Sequence, residues 1–165
     1  MTRIGLLSDT HSFLHPKIFE HFKDCNEVWH AGDIGSADTI YELRKFKPVR
    51  AVFGNIDGYP LRSIVPEIEI FLCEEVKVLM THIGGYPGRY EKKIRELIAG
   101  EKPNLFISGH SHILKVMFDK KNNLLHINPG AAGKSGLHKV ITMIRFIIDG
   151  KDIKDLEVIE IERGF

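Results

Sequence analysis

Residues 4–33, IGLLSDTHSFLHPKIFEHFKDCNEVWHAGD, decide the fold of this chain. The segment opens with the apolar run Ile4–Leu7, which reads as a buried strand. A helical stretch follows at Lys17–Lys23, with Pro16 at a favourable first-turn position. A second strand is predicted at Glu27–Ala31. Because a strand, a helix and a second strand follow one another, the segment predicts a right-handed βαβ unit with parallel strands.

The same alternation continues outward along the chain. A helix is predicted at Ser36–Phe46, with Ser36 as its N-cap, and a strand at Val49–Phe53. A further helix is predicted at Glu91–Ala99, ending at Gly100. These elements favour a mainly parallel sheet with extra antiparallel strands in the second half. The remaining predicted strands are Glu67–Leu72, Val76–Met80, Leu105–Ser108, Lys115–Phe118, Leu124–Asn128, His138–Ile148 and Ile153–Ile161.

Length and composition limit the possible classes of protein. The chain has 165 residues, 43% hydrophobic and 27% charged, with a net charge of +1. These values favour a single α/β domain over residues 1–165 and exclude a disordered or collagen-like chain. The near-zero charge argues against nucleic-acid binding through bulk electrostatics. No apolar run reaches ~20 residues and no signal peptide is recognisable, so we expect a cytoplasmic protein that does not enter a membrane.

Polar side chains follow every strand of the α/β part. Carboxyl ends of parallel strands meet at one edge of a sheet, where ligands bind in open α/β folds. The Asp-x-His and His-x-His pairs are expected on extended segments, where residues i and i+2 share a face. The seven candidate metal ligands at this edge are Asp9, His11, Asp33, Asn55, His82, His110 and His112.

The chemistry of this set points to a pair of metal ions. Imidazole nitrogens mixed with carboxylate and amide oxygens suit borderline divalent ions such as Mn, Fe, Zn, Ni or Co. Seven ligands are too many for one such ion but suffice for two ions that share a carboxylate. Pairs of ions ~3.5–4 Å apart are a common device for hydrolysing phosphate esters.

The order of these motifs resembles that of the calcineurin-like metallophosphoesterase superfamily. The resemblance is narrower to its small single-domain phosphodiesterase branch of bacteria and archaea, and it covers Ile4 to Gly133. It implies an α/β fold in which a sandwich of two mixed β-sheets is flanked by helices, an αββα arrangement. The motifs that carry it are Asp9-x-His11, Gly32-Asp33, Gly54-Asn55-x-Asp57, His82 and Gly109-His110-Ser111-His112.

The resemblance also implies a role for each ligand. It assigns Asp9, His11 and His112 to one ion. It assigns Asn55, His82 and His110 to the other ion, with Asp33 bridging both. Two divalent ions are expected, with manganese favoured and Fe, Ni, Zn or Co as alternatives. A hydroxide bridging the ions is the expected nucleophile for in-line attack on phosphorus, so Asp33, Asn55 and His82 are the expected catalytic residues.

The third motif departs from the larger family. Many members carry a histidine where this chain has Ile56, and Ile56 cannot protonate a leaving group. Either esters with good leaving groups or help from a metal-bound water is then favoured. Asp57 either orients a metal ligand or serves only as a turn residue. Arg89 either binds a phosphate oxygen or is a solvated surface residue.

Other residues carry weaker expectations. Tyr59 and Tyr86 either form a pocket for a base or aryl group, or simply pack in the core or lie exposed. The tight turn Asn128-Pro129-Gly130 is expected to end a strand, with a possible second role in the wall of the site. Five further histidines are expected to have packing roles, namely His15, His21, His30, His126 and His138.

The leading functional hypothesis is a dinuclear-metal phosphodiesterase acting on a small phosphoester, with nucleotide derivatives among the candidates. One alternative is a metal-binding interaction scaffold, because a eukaryotic trafficking-coat subunit resembles this fold without a complete ligand set. Another alternative is a phosphomonoesterase, since both ester classes use the same chemistry. A homo-oligomer paired through the predicted strand Ile153–Ile161 is also expected to be feasible.

Overall fold

The computed structural model describes residues 1–163. The predicted domain boundary at Phe165 lies outside the described residues, and the assignment of a single domain stays a prediction. The strands are β1 Thr2–Leu7, β2 Glu27–His30, β3 Val49–Ala51, β4 Ile68–Cys73, β5 Val76–Thr81, β6 Leu105–Ile107, β7 Lys115–Asp119, β8 Leu124–Asn128, β9 Val140–Asp149 and β10 Asp152–Glu162. The helices are α1 Lys17–His21, α2 Ala37–Phe46, α3 Leu61–Ile64 and α4 Lys92–Glu101.

The strands form two mixed sheets of five strands each. The first sheet has the order β10-β9-β1-β2-β3, and the second has the order β4-β5-β6-β8-β7. Parallel pairing is confined to the neighbours β1–β2, β2–β3, β5–β6 and β6–β8. The strands predicted in the first half, β1, β2 and β3, pair parallel as expected. The antiparallel pairs are β1–β9, β9–β10, β4–β5 and β7–β8. The α/β sandwich of two mixed sheets flanked by helices is confirmed.

The main core lies between the two sheets. Leu6, Trp29 and Phe146 from the first sheet meet Val78 and Ile107 from the second, and all five are almost fully buried. The Trp29 ring also contacts the Phe71 ring edge-on, with 5.0 Å between centroids. Burial of apolar surface stabilises such a core by roughly 25 cal/mol per Å². This core holds the two sheets face to face, so their carboxyl ends lie close together.

Helices cover the outer faces of both sheets. Ile18 of α1 and Leu43 of α2 pack on the first sheet, while Ile94 and Ile98 of α4 pack on the second. The helix α4 continues through Gly100, where the sequence suggested an end, and Lys102 terminates it in a left-handed conformation with φ 50°. The short helix α3 was not predicted, since four residues carry too little periodicity. None of the helices within residues 1–163 is long and apolar enough to cross a membrane.

Candidate metal centre

The seven predicted ligands meet at the carboxyl ends of the strands from both sheets. Backbone hydrogen bonds stitch the loops together there: the Asp9 N–H donates to the Gly32 carbonyl, and the Gly109 N–H donates to the His82 carbonyl. The first sheet supplies Asp9, His11, Asp33 and Asn55, and the second supplies His82, His110 and His112. The site therefore lies across the junction of the sheets.

The ligand side chains fall into two groups. Asp9, His11 and His112 form one group whose donor atoms all lie within 4.8 Å of one another. Within it, His112 Nε2 lies 3.2 Å from Asp9 Oδ1. Asp33, His82 and His110 form the second group under the same limit. Each group offers the mixture of nitrogen and oxygen donors that borderline divalent ions take.

Asp33 lies between the two groups. Its Oδ2 is 3.2 Å from His82 Nε2 in the second group and 3.5 Å from His11 Nε2 in the first. The Asn55 amide oxygen lies 3.0 Å from His110 Nδ1, which places it beside the second group. This arrangement can hold two ions with the Asp33 carboxylate between them.

In each buried metal-ligand side chain, one polar atom is hydrogen-bonded to the protein and the other is available to a metal ion. Asp9 Oδ2 accepts hydrogen bonds from the Ser8 hydroxyl at 2.6 Å and the His110 N–H at 3.1 Å. Asp33 Oδ1 accepts the Ile56 N–H at 3.1 Å. His82 Nδ1 lies 2.8 Å from the Ala31 carbonyl, and a proton donated there leaves the Nε2 lone pair facing the centre.

The atoms left free are buried without a hydrogen-bond partner among the described residues. They are Asp9 Oδ1, His11 Nε2 and His82 Nε2. Buried polar atoms in native proteins are nearly always hydrogen-bonded, so several unpaired atoms directed at one point need a partner from outside the chain. A carboxylate oxygen and two imidazole nitrogens in one place fit divalent metal ions.

Close contacts among the same side chains shift the pKa values of three of them. Burial raises the pKa of Asp33, but the close approach of the His82 ring outweighs it, and the net pKa lies below the usual value. Burial lowers the pKa of His82, but Asp33 and Asp9 outweigh it, and the net pKa is raised. The nearby Asp9 carboxylate raises the pKa of His112 despite the partial burial of this histidine. Without metal, these two histidines therefore bind a proton more tightly than free imidazoles do.

The backbone at the site corrects one expectation from the sequence. The Asp-x-His and His-x-His pairs do not lie on extended segments. Asp9, His11, Asp33, His110 and His112 all have left-handed φ values, between 47° and 72°. Each residue lies in the loop after its strand, so the reasoning from strand faces is wrong although the side chains do converge. Such conformations cost about 1–3 kcal/mol each and cluster at functional sites.

Asp57 touches the loops of the site rather than its ligand side chains. The carboxylate is buried and accepts three backbone N–H groups, from Ile34 at 3.0 Å, Gly35 at 2.8 Å and Gly54 at 2.8 Å. It thereby ties the loop after β2, which carries Asp33, to the loop after β3.

The remaining predicted site residues lie at the surface. The Arg89 side chain is exposed in the loop between β5 and α4, and its binding of a phosphate oxygen stays a prediction. The Ile56 side chain is 47% exposed beside the centre. Tyr59 is 87% exposed and does not share a cavity with Tyr86.

Two supporting residues have roles beyond packing or turn formation. His30 is fully buried, with its Nε2 2.9 Å from the Thr10 hydroxyl and its Nδ1 accepting the Gly32 N–H at 3.1 Å. Asn128 donates to the Gly109 carbonyl at 3.0 Å and so supports the loop that carries His110. Neither role has a local sequence signal, because each partner lies on another element of the fold.

Comparison with known proteins gives a consistent family. The sequence model of the calcineurin-like phosphoesterase superfamily domain matches residues 2–151. A probable metallophosphoesterase of Methanothermobacter thermautotrophicus is 31% identical over 162 residues, covering 94% of this chain and 91% of the relative.

Solved structures share the fold along nearly the whole chain. A novel archaeal phosphodiesterase superposes with a TM-score of 0.75 at 25% identity, covering 95% of this chain and 99% of its own. Vps29 of Chaetomium thermophilum superposes with a TM-score of 0.76 at 12% identity, covering 99% of this chain and 100% of its own. From the match of the family model over most of its length, the chain belongs to the calcineurin-like phosphoesterase superfamily and is a metal-dependent phosphoesterase.

Proposed function

We propose that this phosphoesterase is a phosphodiesterase that works with two divalent ions, of which manganese is our first choice. In this proposal Asp9, His11 and His112 hold one ion. Asn55, His82 and His110 hold the other, and Asp33 bridges them. The observation that carries the proposal is the convergence of unpaired, buried donor atoms from both sheets on one point.

The residues of the chain prepare the site before substrate arrives. Because the Ile56 N–H holds Asp33 Oδ1, Asp33 Oδ2 faces both ligand groups without rotating. The Ala31 carbonyl orients the His82 ring in the same way. When bound, two divalent ions supply an acidified water for attack on phosphorus and positive charge for the phosphoryl oxygens.

The expected preference for esters with acidic leaving groups rests on the position of Ile56. This exposed apolar side chain lies beside Asn55 and Asp33, where it provides no proton for a departing alkoxide. Substrates with acidic leaving groups need no such proton, so we expect aryl and similar activated diesters to react fastest.

We also propose Asp57 as a positioning residue. Its three backbone hydrogen bonds fix the loops that carry Asp33 and Asn55. Asp57→Asn replaces an acceptor oxygen with a donor and should lower Mn²⁺ affinity by about 10–100-fold, as loss of supporting contacts around metal ligands does. Calorimetric titration with Mn²⁺ measures this, and recovery of affinity in Asp57→Glu would separate positioning from general destabilisation. Unchanged Mn²⁺ affinity in folded Asp57→Asn would leave Asp57 as a turn residue only.

The test of function is hydrolysis of bis-p-nitrophenyl phosphate by protein stripped with a chelator. Each divalent metal is added back in turn, beside the Asp33→Asn variant. Asp38→Asn, which removes an exposed carboxylate on α2, is the matched control. We expect activity to return with metal in the wild type and the control but not in Asp33→Asn. Full activity in folded Asp33→Asn would contradict the proposed role of this residue.

Two further outcomes discriminate the alternatives. A higher rate on the mono-p-nitrophenyl ester than on the bis ester would make the chain a phosphomonoesterase. Folded protein that binds two ions but hydrolyses no ester across a broad panel would support a non-catalytic scaffold. The fold of the chain is also found in Vps29.

A further inference from the structure

A cavity of about 180 Å³ opens beside the metal centre. His110, a proposed metal ligand, forms part of its wall, so a group bound to the ions can extend directly into it. The cavity lies between the loop after β5, the loop after β6 and the strands β7 and β8. Its lining is predominantly apolar, with a few polar groups, as is usual for a small-molecule site. The residues that matter here are Ile83, Tyr86, Glu91, Ser111, Lys115 and His126.

One wall of the cavity combines an aromatic ring with a cation. The Lys115 ammonium nitrogen lies 4.0 Å from the centroid of the Tyr86 ring. The Tyr86 side chain is 40% exposed, so part of it is accessible to a ligand. An apolar cavity with a partly exposed aromatic ring favours a planar, aromatic ligand.

A buried histidine with an acceptor nitrogen lines this cavity. His126 is 1% exposed and stacks on the Phe106 ring, with 5.1 Å between centroids. Its Nδ1 lies 3.2 Å from the Phe106 carbonyl and donates its proton there, which leaves Nε2 as the acceptor nitrogen. Burial lowers the pKa of His126 to about 4, so the ring stays neutral near neutral pH. Glu91 lines the same cavity and adds a carboxylate to the lining residues.

We infer that this cavity binds the base of a nucleotide-derived phosphoester and prefers bases that carry an exocyclic amino group. The inference deepens the proposed phosphodiesterase function and rests on it for the position of the phosphate. Tyr86 provides the stacking surface for the base, and His126 accepts a hydrogen bond from its amino group. A base that lacks this donor leaves the acceptor unpaired in a buried site, which disfavours its binding.

The first arm of the test measures binding without metal or phosphate. Adenosine and purine riboside, which lacks the amino group, are titrated into the metal-free protein and followed by NMR. We expect adenosine to bind at least tenfold more tightly than purine riboside. The substitution Tyr86→Ala should weaken adenosine at least tenfold, because base–aromatic stacking contributes about 1–3 kcal/mol per base. Tyr41→Ala, which removes a similarly exposed tyrosine on α2, is the matched control and should bind adenosine like the wild type.

The second arm is kinetic and uses two diesters with the same leaving group. Adenosine 5′-(p-nitrophenyl phosphate) and methyl p-nitrophenyl phosphate both release p-nitrophenol. We expect the wild type to favour the adenosine ester in kcat/KM, and Tyr86→Ala to reduce this preference at least tenfold. The substitution His126→Phe keeps a stacked ring without the acceptor, and should erase the difference between adenosine and purine riboside.

The outcomes separate this inference from the proposed function. Adenosine binding without hydrolysis of either ester would contradict the phosphodiesterase and leave the base site standing. Equal hydrolysis of both esters, with no adenosine binding in the millimolar range, would overturn the base site and leave the phosphodiesterase standing.

Discussion

At the scale of single residues, each buried ligand of the candidate site has one polar atom held by the chain and one left free. Asp9 and Asp33 follow this pattern through their two carboxylate oxygens, and His82 follows it through its two ring nitrogens. Because of this division, the side chains cannot complete their hydrogen bonds within the protein. It keeps donor atoms available at a cost in stability that metal binding would offset.

His30 yields a pH prediction at this scale. Burial lowers its pKa to about 4, against an ordinary value of 6.5. Nδ1 accepts the Gly32 N–H, so protonation would place two donors against each other. Because the folded pKa lies below the unfolded one, the stabilisation is complete above about pH 6.5 and is lost as the pH falls toward 4.

Urea unfolding at about pH 7.5 and about pH 5 measures the effect. Between these two pH values, the free energy of unfolding should fall by about 2 kcal/mol more for the wild type than for the His30→Gln variant. Comparison of the two proteins cancels the contributions of all other titrating groups. Equal losses in both proteins would show that His30 does not set this part of the pH dependence.

At the scale of elements, the site is built from turns that follow strands β1, β2, β3, β5 and β6. The ligands in the turns after β1, β2 and β6 have left-handed conformations. The turn after β2 packs closely against His82. A Cβ on Gly32 would lie 2.6 Å from His82 Nδ1, and Gly32 has φ 101°.

Gly32→Ala should therefore displace His82 and weaken Mn²⁺ binding by at least tenfold. Gly88→Ala is the matched control, because Gly88 also has a positive φ, 88°, but nothing lies within 4 Å of its Cβ position. Both variants should lose about 1 kcal/mol of stability from backbone strain. Calorimetric Mn²⁺ titration separates them, and equal affinity losses would mean that backbone strain alone controls the site.

At the scale of the whole molecule, ions at the centre would join the two sheets. The first sheet supplies four of the proposed ligands and the second supplies three, across a junction that is otherwise held by the apolar core. Saturating Mn²⁺ at about 100 times its Kd should stabilise the fold by about 2.7 kcal/mol. For a chain of this size, the unfolding midpoint should rise by about 5–10 °C.

The rise in the unfolding midpoint caused by Mn²⁺ should be larger at higher pH. The raised pKa values of His82 and His112 mean that protons compete with ions at low pH. In the metal-free protein, the stabilisation from these protonated histidines is present below about pH 6.5 and is lost as the pH rises through their folded values. Scanning calorimetry at about pH 6 and about pH 8, with and without Mn²⁺, tests this. A shift that is the same at both pH values, or retained in Asp33→Asn, would contradict the proposed ligands.

Self-association through the predicted strand Ile153–Ile161 stays a prediction. The corresponding β10 is an edge strand, but its pairing with β9 is interrupted between Lys154 and Glu157, a device that blunts sheet edges. We expect a dimer in light scattering that Val158→Lys dissociates. Phe118→Lys on the opposite edge strand β7 is the control, since Phe118 is similarly exposed. A monomer at all concentrations would reject the prediction, and loss of the dimer only in Phe118→Lys would move the interface to β7.

Much of the site could be predicted because its information is local. Asp9, Asp33, His82 and His110 each follow a short apolar run, and that pattern marks the carboxyl end of a strand whatever the strand pairs with. Their chemistry also follows from residue type alone, since mixed nitrogen and oxygen donors select borderline divalent ions. The sequence by itself therefore determined the succession of strands along the chain and the candidate ligands.

The tertiary structure decided what depends on distant contacts. The His82 ring is oriented by Ala31, 51 residues away, and Asp9 Oδ2 by the backbone of His110, 101 residues away. The cavity beside the centre forms only when Tyr86 and His126 are brought together from separate elements. Left-handed turns at the ligands, the split of strands between two sheets and this cavity all arise from packing between elements. Local preferences specify where strands begin and end, whereas packing between strands far apart in the chain sets which side chains meet.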